Sequence, residues 1–311
     1  MISRVLVTGG TGRLGTLVVK GLAARGVTVR VMTRDPRRAV HLAGERIELV
    51  TGDVRDPASA LAAAAGVDAV VSAVHGFAGP GGVSPTTVDL GGNTHLIVAG
   101  RAAGAEVVLM SVVGSAPDSP FELFRMKHAA EAFLASTTVP ATVVRSTAFL
   151  ELWIEILADT AGRTNRALVF GHGRNPINFV SVGDVAALVE RVTLDPATRG
   201  QTLEIGGPVD LTMNELARMV VAHRGGSDPR HIPRAALHAM AATIGRLRPE
   251  LGRQARAALA MDRSDLTFSG GVNDARARYP DLPCTAPAEA LRAFTASRGV
   301  FGVPGARTPD S

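Results

Sequence analysis

Thr8-Gly9-Gly10-Thr11-Gly12-Arg13-Leu14-Gly15 follows a short β-branched apolar run, residues 2–8, and precedes a helical pattern over 14–24. Glycines at 9, 12 and 15 let a backbone turn tightly and approach a pyrophosphate without Cβ clashes. The helix behind them offers free N–H groups and a partial positive charge to the phosphates. A strand before and a helix after are the context this chemistry demands. The expectation is a dinucleotide held by Gly9, Thr11, Gly12, Arg13, Leu14 and Gly15.

The choice of dinucleotide is read at the end of the second strand, Val31-Met32-Thr33-Arg34-Asp35-Pro36-Arg37-Arg38. An acid at the strand end would hold the ribose hydroxyls and repel a 2′-phosphate. Thr33 and Arg34 occupy that place, and Asp35 comes later. A guanidinium stacks on adenine and pairs with phosphate through its planar fork. Arg34, with Arg37 and Arg13 as further candidates, therefore indicates NADP(H) over NAD(H).

These residues need a scaffold. Strands are expected over 27–33, 47–50, 68–74, 106–112 and 141–146, and helices over 57–65, 93–103 and 121–135. Near-continuous apolar strands alternating with helices imply a parallel sheet covered on both faces, an α/β doubly wound fold of the Rossmann type. Beyond Thr147 the pattern loosens into short strands over 167–170, 177–180 and 201–205. Helices follow near 182–194, 212–222, 234–246, 250–261 and 286–296. Thr212 with Glu215 forms a capping box. The reading is a dinucleotide-binding domain over 1–150, to which 177–206 returns. A smaller, mostly helical substrate-binding part takes 151–176 and 207–298, and 299–311 is a flexible tail.

Composition narrows the class. The chain of 311 residues is 46% hydrophobic and 20% charged, with a single cysteine, Cys284, so neither a disulfide nor a cysteine zinc cluster is expected. The histidines at 41, 95, 172, 223, 231 and 238 show no metal spacing. Net charge is +5, but 31 of the 33 cations are Arg, scattered and without aromatic interleaving. That argues against nucleic acid. The Ala-rich stretch 58–74 is too short for a membrane span, and the expected location is cytoplasmic.

Further segments carry a resemblance. Besides Gly9-x-x-Gly12-x-x-Gly15 there are Gly52-Asp53-Val54-Arg55-Asp56, Phe179-Val180-Ser181-Val182-Gly183-Asp184-Val185 and Val144-Arg145-Ser146-Thr147-Ala148-Phe149. In the last, Ser146 stands where a proline is usual. Together they resemble the extended and atypical short-chain dehydrogenase/reductase superfamily, best its NmrA-like NAD(P)H-binding reductases, over roughly residues 1–225. The resemblance implies that Asp53 and Val54 contact adenine. Ala73 and Val74, ending the fourth strand, lie where ligands bind in such folds.

Standard members of that superfamily carry Tyr-x-x-x-Lys on the helix after the fifth strand, Tyr as acid or base and Lys on the nicotinamide ribose. Here Lys127 has Leu123 four residues earlier, and the only tyrosine is Tyr279. With two lysines in the chain, a lysine at 127 is informative in itself. It is read as an exposed helical residue holding the ribose. Ser111 falls near the family's catalytic serine, with Ser115 as the alternative. His75, after the fourth strand, is a candidate proton donor, as are water and the substrate itself; His128 is a weaker one. The loop 76–84 is read as a mobile cover. Phe149 and Trp153 are expected as substrate-pocket walls.

The function expected is an NADPH-dependent reductase, monomer or homodimer, acting on the carbonyl of a small hydrophobic aromatic, quinone or polyketide-type substrate. The alternative is a non-catalytic NADP(H)-sensing regulatory protein. A sugar-nucleotide epimerase would need the missing tyrosine.

Overall fold

A computed structural model describes residues 2–79, 82–222 and 225–300. Residues 301–311, most of the expected tail, and His223 lie outside the described residues. The first half alternates as β1 (Arg4–Thr8), α1 (Arg13–Ala24), β2 (Thr28–Thr33), β3 (Ile47–Thr51), α2 (Pro57–Ala64), β4 (Ala69–Ser72), α3 (Asn93–Ala103), β5 (Glu106–Val112), α4 (Glu122–Ala135) and β6 (Ala141–Ser146). A π-helical segment, Pro85–Gly92, runs directly into α3. The second half continues with β7 (Ala148–Phe149), α5 (Leu150–Ala161), β8 (Leu168–Phe170), β9 (Pro176–Val180), α6 (Val182–Leu194), β10 (Thr202–Ile205), β11 (Asp210–Thr212), α7 (Met213–Ala222), β12 (Arg230–Ile232), α8 (Arg234–Ala242), α9 (Ile244–Leu247), α10 (Pro249–Met261), α11 (Ala275–Arg278) and α12 (Pro287–Val300).

Seven strands form one sheet in the order β10-β6-β5-β4-β1-β2-β3, with every pairing parallel. Side chains alternate across it, as the two-residue period of a strand requires. Val5, Val7, Val29 and Val31 face α1 and α6. Leu6, Val70, Val107 and Leu109 face α2, α3 and α4. Chain order reverses between β1 and β4, so a crevice opens at the strands' C-terminal ends there, the place where doubly wound folds bind ligands.

A second core gathers Leu150, Ile154 and Leu157 of α5 with Val169, Phe179, Leu216 and Val220. Here the structure departs from the expectation for 177–206. Strand β9 joins β7 and β11 in a separate three-stranded sheet, and only α6 and β10 return to the large one. Ile177 and Phe179 are buried in the second core while Val180 is buried in the first, so β9 is the seam between them. The capping box forms as read: Glu215 N–H donates to the Thr212 hydroxyl, and the Glu215 carboxylate accepts from Thr212 N–H. Among the described residues, no helix is long and apolar enough to cross a membrane.

Candidate functional site

The glycine turn sits between β1 and α1, at the C-terminal ends of the strands. Gly9 adopts φ +75°, and a Cβ there would stand 2.4 Å from the Ala73 carbonyl oxygen. A Cβ on Gly15 would stand 2.1 Å from the Gly9 oxygen. These two glycines let the turn, the start of α1 and the end of β4 touch backbone to backbone. Gly12, the N-cap of α1, makes no side-chain cap, and the first turn holds no acid. The first N–H groups of the helix are thus left for another acceptor. Leu14 is buried beneath the turn. Arg13 forms an ion pair with Glu155 of α5, tying the turn to the second core.

At the end of β2, Thr33 is buried and Arg34 exposed, and Arg34 forms no salt bridge among the described residues. Asp35 is committed elsewhere: its carboxylate caps the following 3-10 turn by accepting from Arg37 N–H at 3.0 Å. The strand end therefore presents a cation where an acid would read ribose hydroxyls. Arg37 is exposed on that turn. Asp53 is held by Arg55, whose guanidinium lies 2.6 Å away and keeps the carboxyl below the usual carboxylate range, against the opposing effect of burial. Val54 lends its carbonyl to His95 Nδ1 at 2.8 Å.

Strand β4 ends at Ser72, two residues earlier than expected, so Ala73, Val74 and His75 form a crest above it. Lys127 departs from the sequence-based expectation. It is not an exposed helical residue but only 4% exposed. Its ammonium donates to the carbonyls of Val74, at 3.1 Å, and Met110, at 3.0 Å, and pairs with Asp89 Oδ1 at 3.1 Å. Two carbonyl acceptors and one carboxylate charge surround the buried ammonium. Lys127 thus stitches the ends of β4 and β5 together from below. The helix's sequence pattern could not show this, because Asp89 comes from the π-helical segment, far away in sequence.

Asp89 was not singled out by sequence, although a lone acid between Val88 and Leu90 was a usable signal. It is fully buried. Burial works against its charge, but Lys127, His75 and the Gly76 N–H outweigh that and hold the carboxyl below the ordinary range. Its Oδ2 accepts from Gly76 N–H at 2.9 Å, and its Oδ1 lies 3.8 Å from His75 Nδ1. The His75 side chain is 52% exposed. Ser111, one residue from the end of β5, is buried, and its Oγ has no hydrogen-bond partner among the described residues. Ser115 is committed to Glu131. Tyr279 donates to Asp195, beyond the C-terminal end of α6, at 2.5 Å. Lys127, Asp89, Ser111 and His75 are thus brought to one place, and the tyrosine is not.

Phe149 and Trp153 are both half-buried. Phe149 packs on the first core and Trp153 on the second, so they line the seam between the halves. A cavity of about 580 Å³ opens between α8, α10 and Pro120, the residue shortly before α4; Leu259, Ala260 and Ala241 line it, with Arg256, Arg263 and His238. The loop after His75 is anchored: Arg253 of α10 donates to the carbonyls of Val83, at 3.0 Å, and Phe77 and Gly79, each at 3.4 Å. No cluster of three metal-ligating side chains exists among the described residues.

A doubly wound sheet, a side-chain-free cradle at its switch point, an uncapped helix N-terminus and an orphan hydroxyl at a strand end together fit a dinucleotide. They define an α/β protein of the Rossmann type. Residues 1–227 match the model of the NmrA-like family, and the chain belongs to that family. It is 26% identical over 222 residues to an NAD(P)H azoreductase of Xenophilus azovorans, covering 71% of this chain and 74% of that protein. It is 31% identical over 199 residues to the photosystem II assembly factor Ycf39 of Synechocystis, covering 63% and 60%. Its fold is shared with the NADPH-dependent quinone oxidoreductase QOR2 of Escherichia coli, solved with NADPH. There the TM-score is 0.74 at 21% identity, over 94% of this chain and 99% of that one.

Proposed function

We propose that this chain is an NADPH-dependent oxidoreductase that reduces the carbonyl of a hydrophobic aromatic, quinone or polyketide-type substrate. The observation that carries this reading is the glycine cradle against the uncapped start of α1, with exposed Arg34 at the adjoining strand end. The cradle accepts a pyrophosphate by the helix N–H groups, and the cation accepts a 2′-phosphate. The similarity to an NAD(P)H azoreductase supports a reductase that draws on a nicotinamide coenzyme.

A bound nicotinamide supplies the hydride. The chain supplies position and proton management. Lys127 fixes the crest at Val74 and the end of β5, Ser111 offers its free hydroxyl beside them, and Phe149 and Trp153 wall the seam where an apolar substrate excludes water. Positioning of this kind accounts for much of an enzymatic barrier reduction.

The likeness to an assembly factor favours a second reading, a cofactor-binding regulatory protein. Stoichiometric NADPH consumption with a panel of small quinones and aryl ketones separates the two. Turnover supports the reductase; NADPH binding without turnover of any panel member supports the regulator.

A further inference from the structure

The missing tyrosine leaves the source of the proton open, and the structure puts a carboxylate behind one of the candidates. We propose that His75 delivers the proton to the reduced substrate and that Asp89 is the positioning residue that turns and polarises it. The inference rests on the reductase reading above.

Asp89 holds this segment by its main chain and faces its imidazole. Its Oδ2 takes the N–H of Gly76, the residue after His75, at 2.9 Å. Its Oδ1 faces His75 Nδ1 at 3.8 Å. The contact is long, as catalytic hydrogen bonds often are before ligand binds. The main-chain anchor depends on Gly76 itself, because a Cβ there would stand 2.4 Å from the Ser84 carbonyl oxygen and 2.7 Å from Val88. On its other side the imidazole stacks on Phe77, with ring centroids 6.0 Å apart. With Nδ1 toward the buried carboxylate and the side chain 52% exposed, Nε2 is the nitrogen on the open side of the ring. Asp89 keeps its charge without solvent because Lys127 pairs with it at 3.1 Å. The charged groups facing the carboxylate are therefore Lys127 from α4 and His75 from the crest. A carboxylate on Nδ1 fixes the imidazole tautomer and stabilises the imidazolium.

The substrate carbonyl would gain, at carbon, the hydride that a bound dihydronicotinamide supplies, leaving that ring oxidised. The Nε2–H bond of the imidazolium breaks, and an O–H bond forms on the substrate oxygen. The neutral imidazole left behind keeps its proton on Nδ1, toward Asp89, and regains the other at Nε2 from water.

The test combines ¹⁵N NMR of the full chain with kinetics. At a pH where imidazole is neutral, His75 is expected to carry its proton mainly on Nδ1, against the usual preference for Nε2, and Asp89→Asn is expected to lower that population. His75→Gln, at an exposed side chain, is expected to keep NADPH affinity within about twofold while lowering kcat for an aryl ketone by about 10²–10⁴. Asp89→Asn is expected to lower kcat in the same direction, and to add less than about twofold in the His75→Gln background. A purely structural Asp89 would give multiplicative losses. A dominant Nε2–H tautomer in the wild-type chain, or a His75→Gln variant within tenfold of wild type, overturns the proposal. Absence of NADPH binding strikes the reductase reading instead, and with it the proton-delivery role, while the tautomer measurement still decides whether Asp89 engages His75.

Discussion

The ammonium of Lys127 and the carboxylate of Asp89 meet 3.1 Å apart with both side chains sealed from solvent, one on a helix and the other on the π-helical segment that crosses it. Breaking a buried pair by removing one partner leaves the other charge without compensation. Lys127→Ala is expected to cost about 3–5 kcal/mol of stability, measured by denaturant unfolding of the variant against wild type. An unfolding midpoint within error of wild type would show that the pair is not what holds α4 to the strand ends.

Arg34 is expected to set the coenzyme choice. Losing a hydrogen bond to a charged group costs about 1.5–3 kcal/mol, so Arg34→Ala should weaken NADPH by roughly tenfold or more and NADH little. Titration of both coenzymes by fluorescence checks this. Equal weakening of the two would mean that Arg34 does not read the 2′-phosphate.

Much of this arrangement is visible in the chain itself. The strand–helix alternation, the glycine turn and the Thr212–Glu215 cap are local patterns, governed by residues a few positions apart, and the structure repeats them. The nearness of Ser111 and His75 also follows, because both lie near the C-terminal ends of neighbouring parallel strands, β5 and β4; Lys127 reaches them from α4. What local pattern cannot carry is the partner of a buried charge. Lys127 reads as exposed because a lysine on a helix ordinarily faces solvent, and Asp89 approaches it from 38 positions away in sequence. Strand β9 looks like any other apolar strand, and its pairing with β7 and β11 outside the main sheet is a long-range choice that its own residues do not encode. Arg253, which reaches from α10 to the loop after His75, carries no sequence signal in a chain so rich in arginine.

The cradle admits a sharper test. Gly15→Ala would place a methyl group 2.1 Å from the Gly9 carbonyl oxygen, where only backbone movement relieves the clash. A stability loss of about 1–3 kcal/mol is expected for such overpacking, together with loss of coenzyme binding, measured by thermal shift with and without NADPH. A variant that keeps a wild-type NADPH-induced shift would separate the turn from the coenzyme.

Asp262 governs the second half. Its side chain is buried and accepts from the backbone N–H groups of His172, at 2.8 Å, and Gly173, at 2.9 Å, and from Arg234 Nε at 2.5 Å. Burial opposes its ionisation, but these donors outweigh it and lower its pKa. A carboxyl with a depressed folded-state pKa adds stability above its unfolded value, about 3.9, and loses it as pH falls through the folded one. Asp262→Asn is therefore expected to be less stable than wild type at pH 7, with the difference shrinking as the pH is lowered below about 4. Melting curves across that range check the sign; a gap that widens in acid would reverse it.

The reductase reading stands or falls on where the hydride goes. NADPH carrying deuterium at C4, prepared separately in its two stereochemical forms, is incubated with the wild-type chain and an aryl ketone, and the alcohol is analysed by mass spectrometry. One of the two labelled coenzymes is expected to deliver a single deuterium to the carbinol carbon, in step with NADPH oxidised. Bound NADPH that gives up no label to any ketone of the panel, and is not consumed by any quinone, would contradict the assignment.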